Sequence, residues 1–313
     1  VLNLYFQVRT FLDICDRLDD CYVVYSQIEA DGRFSLRLFC VDPSHNIQEC
    51  LDKGNSTVYF SATLLPLDYY MSLLSTAKDD YAMYANSCFD PAKKRVLIGT
   101  DVSTRYSGRT PEVYRRIAAY IDGMVSSRTG NYLVFFPSYR LMEDVAEHYR
   151  NLFPENTDMV CQSSNMTEIQ REAFLEQFES GRDNSQVGFC VMGSIFGEGI
   201  DLKRDRLIGA AIVGCGLPQV CIERELLKQY YDAHRGDGFR YAYLCPGMNK
   251  VLQAAGRVIR TEEDEGVILL LDERFTGYQY RQLFPREWDD CRICSSRDAA
   301  EKIRDFWEHI CSN

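Results

Sequence analysis

Apolar and polar residues alternate with a period of two in two short runs, Tyr22–Ile28 and Phe34–Val41. Successive side chains of a strand point to opposite faces, so such runs predict half-buried strands. The polar link Glu29-Ala30-Asp31-Gly32 between them predicts a hairpin. A helical pattern over residues 10–20 precedes it. From Val58 onward the pattern changes. Short apolar runs at Val58–Phe60, Arg95–Ile98, Tyr132–Phe136, Asp158–Gln162, Val187–Met192, Leu207–Val213 and Val267–Leu271 predict strands. Between most of them lie segments of helical period, at 110–127, 138–151, 220–234, 247–260 and 297–311. A further helix starts after Thr167, which with Gln170 has the spacing of a capping box ahead of Ala173, Phe174, Leu175 and Phe178.

Strands that alternate with helices need crossover connections. The expected fold is therefore α/β, with a mainly parallel sheet covered by helices on both faces. The 313 residues are enough for one large domain or two small ones. No apolar run approaches the roughly 18 residues that span a bilayer, and no basic-then-apolar leader opens the chain.

Thirteen cysteines are many, but the number is odd and the spacing is that of no framework. Cys40, Cys190, Cys215 and Cys245 sit in apolar, strand-like runs, where a free thiol acts as a small hydrophobe. That usage fits a reducing cytoplasm better than secretion. Cys291 and Cys294 have no second pair at zinc spacing and are read as free thiols, so no metal site is assigned. The net charge of −11 is a poor footprint for duplex DNA, because phosphate neutralisation dominates non-specific affinity. Any nucleic-acid contact must be a local groove, or be shared with something outside this chain.

Several chemistries are excluded. The four histidines form no His-x-x-x-His pair, and there is no Gly-x-Ser-x-Gly elbow. Gly214-Cys215-Gly216-Leu217-Pro218-Gln219 breaks the dinucleotide-binding pattern at its last glycine. No lysine is followed by Ser or Thr, so a phosphate-cradling P-loop is absent. Leu269-Leu270-Leu271-Asp272-Glu273 imitates a Mg²⁺-holding strand but has no P-loop before it, and is read as a buried strand ending in a polar turn.

Four stretches carry chemistry. In Gln253-Ala254-Ala255-Gly256-Arg257-Val258-Ile259-Arg260, a continuous helix would set 253, 257 and 260 on one face. That face would offer an amide and two guanidiniums to a phosphate, with Gly256 allowing close approach. An amphipathic surface helix whose arginines pair with Glu262 and Glu263 is the other reading. Gly193-Ser194-Ile195-Phe196-Gly197-Glu198-Gly199-Ile200-Asp201 follows a predicted strand, where open α/β sheets place ligands, or where a plain flexible loop would lie. Tyr59-Phe60-Ser61-Ala62-Thr63-Leu64-Leu65-Pro66 is an apolar run ending in hydroxyls before a Pro-started helix. Leu133-Val134-Phe135-Phe136-Pro137-Ser138-Tyr139 delivers a hydroxyl and a ring that suit phosphate bonding and base stacking, but equally a cap and a core.

In this order the four resemble helicase motifs three to six of superfamily two, in the form of the XPD/DinG family. Ser61-Ala62-Thr63 is similar to motif three and Phe135 through Tyr139 to motif four. Gly197 through Asp201 is similar to motif five and Gln253 through Arg260 to motif six. Arg206-Leu207-Ile208-Gly209, Gly216-Leu217-Pro218 and Leu271-Asp272-x-Arg274-Phe275 extend the resemblance over roughly residues 34 to 285.

The resemblance implies a RecA-like second motor domain, over 67–313, preceded in 1–66 by the end of the first, with its hairpin and motif three. It implies an ATP-dependent 5′→3′ DNA helicase, usually in DNA repair, whose first domain holds ATP and Mg²⁺. Carried onto this sequence, Arg257 and Arg260 are arginine fingers and Gln253 lies near the γ-phosphate, beside Gly256. Glu198, Gly199 and Asp201 link nucleotide to DNA. Ser61 and Thr63 couple hydrolysis to movement, and Ser138 and Tyr139 face single-stranded DNA. The iron–sulfur cluster of many relatives lies in the first domain, so none is assigned to this chain. The implied partners are single-stranded DNA and the N-terminal helicase domain. A non-catalytic RecA-like module that binds DNA or protein remains the alternative, as does a helicase half within a nuclease machine.

Overall fold

A computed structural model gives the fold and describes residues 2–152, 157–179, 181, 183–194, 196 and 207–311. Along the chain run α1 (Leu2–Cys15), β1 (Tyr22–Ile28), β2 (Phe34–Cys40), α2 (Ser44–Leu51), α3 (Leu67–Leu74), β3 (Lys94–Gly99), α4 (Pro111–Val125), β4 (Asn131–Phe136) and α5 (Tyr139–Leu152). They continue with β5 (Thr157–Cys161), α6 (Glu168–Glu176), β6 (Ser185–Val191), β7 (Gly209–Val213), α7 (Ile222–Arg235), α8 (Cys245–Ala255), β8 (Gly266–Leu271), β9 (Arg292–Cys294) and α9 (Ala299–Cys311). The chain forms two compact units, Val1–Tyr84 with Gln219–Cys245, and Ala85–Pro218 with Pro246–Asn313.

In the first unit β1 and β2 pair antiparallel as the expected hairpin, and the register sets Tyr22 opposite Cys40. Glu223 at the start of α7 accepts hydrogen bonds from the Tyr25 hydroxyl and from Arg37. Tyr231 stacks on Tyr241 at 4.1 Å between ring centres, and Tyr69 lies 5.2 Å from the same ring. Stacked rings of this kind add packing energy beyond their buried area.

The second unit is built on a seven-stranded sheet of order β5-β6-β4-β7-β8-β3-β9, in which every pairing is parallel. The strands β4, β7 and β8 are buried along their whole length, which is why they read as continuous apolar runs rather than alternating ones. On one face Leu97, Val134, Phe136, Phe189 and Leu269 pack with Ile117, Val145, Ile303 and Phe306 from α4, α5 and α9. On the other, Gly188 makes room for Phe174 of α6 and for Phe178, because a Cβ at 188 would stand 2.6 Å from Phe178. Helices therefore cover both faces. Thr110 caps α4, and Thr167 and Gln170 form the predicted capping box.

Three expectations are corrected. The first helix spans Leu2–Cys15 rather than 10–20. Val58–Phe60 forms no strand; Val58 is 79 % and Phe60 88 % exposed. An apolar run becomes a strand only beside a ladder partner, and none is present among the described residues. The helix expected over 247–260 ends at Ala255. The short edge strand β9 and the helix α2 carry too little periodic signal to have been expected.

Candidate functional site

All strands of the large sheet point the same way, so the loops after β3, β4, β6, β7 and β8 share its carboxyl edge, where such sheets bind ligands. After β4, the Ser138 hydroxyl accepts from Leu141 N at 3.4 Å and caps α5. Tyr139 is half-buried and packs against the core. Burial pushes its hydroxyl pKa up, and the same oxygen accepts from Gln162 Nε2 at 2.9 Å.

Gln162 is the residue that sequence reasoning passed over. It is buried at the end of β5, and its Oε1 accepts from Val191 N at 2.9 Å and Ser194 Oγ at 3.0 Å. One amide thus ties together the ends of β4, β5 and β6. The only available signal was a glutamine closing an apolar strand. Gln162→Leu leaves the Tyr139 hydroxyl, Val191 N and the Ser194 hydroxyl, all part-buried, without this partner, and should lower unfolding free energy by about 1–3 kcal/mol, read by urea titration. An unchanged midpoint would show that the amide bonds carry no weight.

After β6 the chain turns through Gly193, at φ +69°, where a Cβ would stand 3.2 Å from Lys250 Cε on α8. Glu198, Gly199 and Asp201 lie outside the described residues. After β7, a Cβ on Gly216 would stand 2.6 Å from Gly247 O, so glycine is what lets the first turn of α8 press onto this loop. After β8, Asp272 is completely buried. Its carboxylate receives Arg274 Nε at 2.8 Å, Arg274 Nη2 at 2.8 Å, Thr104 N at 2.9 Å and Thr104 Oγ1 at 2.6 Å. Burial alone would raise this carboxyl, but the Arg274 bonds and charge hold it below its ordinary pKa. The expected buried strand with a polar turn is therefore present, and its acid is committed to an arginine.

The helix α8 starts beside the loop after β7 and ends near Gly266, the first residue of β8, which Val258 touches. It thus runs antiparallel to the strands. Gln253 is half-buried on its last turn. Gly256 N still reaches Leu252 O at 2.9 Å, while Arg257 N and Val258 N reach only Ala254 O and Ala255 O, three residues back. Arg260 N and Thr261 N then both donate to Asp264 Oδ2 at 2.7 Å. A buried carboxylate that accepts two backbone N–H groups competes with helical bonding and draws the chain out of the helix. Gln253, Arg257 and Arg260 therefore do not share one helical face; the two arginines, both half-buried, leave from the turn that follows α8. Gly256 is exposed, and a Cβ there would meet only the carbonyls of Leu252 and Gln253 within 4 Å.

Ser61 and Thr63 belong to the first unit. Thr63 N donates to Ser61 Oγ at 3.2 Å in a local hydroxyl turn, and Ser61 is exposed. Among the described residues no group of three His, Cys, Asp or Glu side chains could hold a metal ion. None of their helices is long and apolar enough to cross a membrane.

Over residues 121–291 the chain matches the family described as the helicase C-terminal domain. It belongs to that family. This helicase C-terminal domain is of the XPD/DinG kind, as its motifs imply. It is 25 % identical over 278 residues to the general transcription and DNA repair factor IIH helicase subunit XPD of Schizosaccharomyces pombe, covering 80 % of this chain and 34 % of that protein. It is 29 % identical over 174 residues to the ATP-dependent DNA helicase DinG of Photobacterium profundum, covering 55 % of this chain and 24 % of that one. A solved apo XPD matches its fold with a TM-score of 0.63 at 20 % identity, over 92 % of this chain and 57 % of that one. The RecA-like α/β fold is thereby shared with XPD helicases. The chain spans about a third of the length of the XPD relatives from fission yeast, plant and budding yeast.

Proposed function

We propose that the chain is the C-terminal motor half of an ATP-dependent 5′→3′ DNA helicase. The observation that carries this reading is the family match over 121–291, which includes Gln253 through Arg260. In it an N-terminal helicase domain holds ATP and Mg²⁺ on its P-loop, since this sequence has none. Residues 1–66 are the end of that first domain and 67–313 the second. Arg257 and Arg260 are the fingers that stabilise charge on the transferred phosphoryl group, with Gln253 near the γ-phosphate and Gly256 leaving space for it. Glu198, Gly199 and Asp201 connect nucleotide to DNA, while Ser61 and Thr63 couple hydrolysis to movement. Ser138 and Tyr139 lie where single-stranded DNA crosses the carboxyl edge. Both are employed as cap and core, so their contact would come from the backbone N–H groups at the start of α5 and the exposed part of the ring.

The test is translocation polarity in the intact protein. With partial-duplex substrates bearing one single-stranded tail, unwinding is expected only from the 5′ tail and only with ATP. Unwinding from a 3′ tail alone would overturn the polarity. The net charge of −11 favours a second reading, a non-catalytic RecA-like module that binds a partner protein. In that case ATP turnover would be indifferent to the arginines of the turn.

A further inference from the structure

The loop after β3 stands on the same edge of the sheet, and its stem is held by many polar bonds. Val102 O accepts from Glu273 N at 2.9 Å. Thr104 gives both its N–H and its hydroxyl to the buried Asp272, and accepts Arg274 Nη2 on Oγ1 at 2.9 Å. Arg109 Nε reaches Thr104 O at 3.1 Å, and Arg116 Nη1 reaches Asp101 O at 3.0 Å. The Asp101 carboxylate receives Ser296 N and Ser296 Oγ. A Cβ on Gly214 would stand 2.6 Å from Thr104 Oγ1, so the neighbouring loop also closes on this stem.

The tip that this stem carries is turned outward. Val102 and Thr104 are buried, whereas Arg105, Tyr106 and Ser107 are exposed, Tyr106 to 83 %. The Arg109 guanidinium lies 5.8 Å from the centre of the Tyr106 ring. Among the described residues no hydrogen bond or ion pair engages the side chain of Arg105. A lone exposed tyrosine is ordinary. An aromatic ring with the Arg109 guanidinium beside it and the exposed Arg105 next to it in sequence, on a stem fixed by hydrogen bonds, is a pre-organised surface for a flat base and its phosphates. It is also the local cationic patch that an acidic chain needs for any nucleic-acid contact.

We propose that the tip formed by Arg105, Tyr106 and Arg109 contacts single-stranded nucleic acid, with a base stacked on Tyr106 and phosphates held by the two arginines. This rests on the helicase reading above and lengthens its track. In the order β4-β7-β8-β3 the strands that lead into the tip and into the Ser138 loop lie three strand spacings, about 14 Å, apart.

The experiment is fluorescence anisotropy of a labelled oligo(dT) with the 313-residue chain across a salt series. Tyr106→Ala should weaken binding about ten-fold at every salt concentration with an unchanged slope, while Tyr106→Phe binds as the wild type does. Arg105→Gln should reduce the slope of log K against log salt by about 0.7, one phosphate's worth. Both side chains are exposed, so the melting temperature should stay that of the wild type. Weakening that merely follows a drop in melting temperature would overturn the proposal. So would wild-type binding by Tyr106→Ala and Arg105→Gln where Tyr139→Ala weakens it, a result that leaves the helicase reading intact. Failure of the wild type to bind oligo(dT), both alone and joined to its N-terminal domain, would sink the nucleic-acid reading and this contact with it.

Discussion

Arg257→Ala should lower ATP turnover by the intact helicase by about 10³–10⁵, with ATP affinity little changed. The size follows from when the guanidinium acts. Phosphoryl transfer spreads charge over the equatorial oxygens only as the transition state forms, so a finger stabilises that state far more than bound ATP. Arg257→Lys should recover little, because a point-charge ammonium cannot reproduce a planar fork of donors. Arg257 leaves the chain from a turn, and that turn is pinned where Asp264 takes the N–H groups of Arg260 and Thr261 at 2.7 Å. The neighbouring Arg260 is therefore held in place by a carboxylate rather than by helical bonding. Turnover within three-fold of wild type in Arg257→Ala would assign the hydrolytic role elsewhere.

Asp272→Ala should cost about 3–5 kcal/mol of unfolding free energy, measured by urea denaturation at pH 7. The substitution leaves Arg274, whose side chain is only 15 % exposed, as an uncompensated charge, and strips Thr104 of both its acceptor contacts. Because the loop after β3 hangs on that threonine, its amide protons should exchange faster as well. The carboxyl has a linked pH dependence. Burial opposes its ionisation, yet the Arg274 bonds leave its folded pKa below the unfolded value. A depressed acid contributes stability that is complete above its unfolded pKa, near 4, and that is lost as pH falls through the folded value. Asp272→Asn should therefore be less stable than wild type at neutral pH, with the gap closing as the solution is made strongly acidic. A constant gap from pH 7 to pH 2 would contradict the assignment.

How far the sequence discloses this molecule depends on how local each cause is. Buried parallel strands are solid apolar runs, so β4, β7 and β8 stand out, and the hairpin shows by its alternation. Val58–Phe60 carries the same apolar signal and yet stays unpaired, since pairing depends on a neighbour that the run itself does not name. The end of α8 was hidden because its cause, the buried carboxylate of Asp264, stands in what reads as an acidic surface turn. Gln162 was hidden for a stronger reason. Its partners Tyr139, Val191 and Ser194 come from separate stretches, and only the fold brings them to one amide. The pairing of Asp272 with Thr104 spans 168 residues and is equally silent in the sequence. The family resemblance itself was legible, from motifs taken in order rather than from any one residue.

The most direct measurement is ATP hydrolysis by this chain, by a P-loop-bearing N-terminal lobe, and by the protein that joins them, each with and without single-stranded DNA. A motor half that supplies fingers but no P-loop should be inert alone, the partner lobe nearly so, and the joined protein active and DNA-stimulated. Turnover by this chain alone, or an N-terminal lobe as fast without it as with it, would contradict the account.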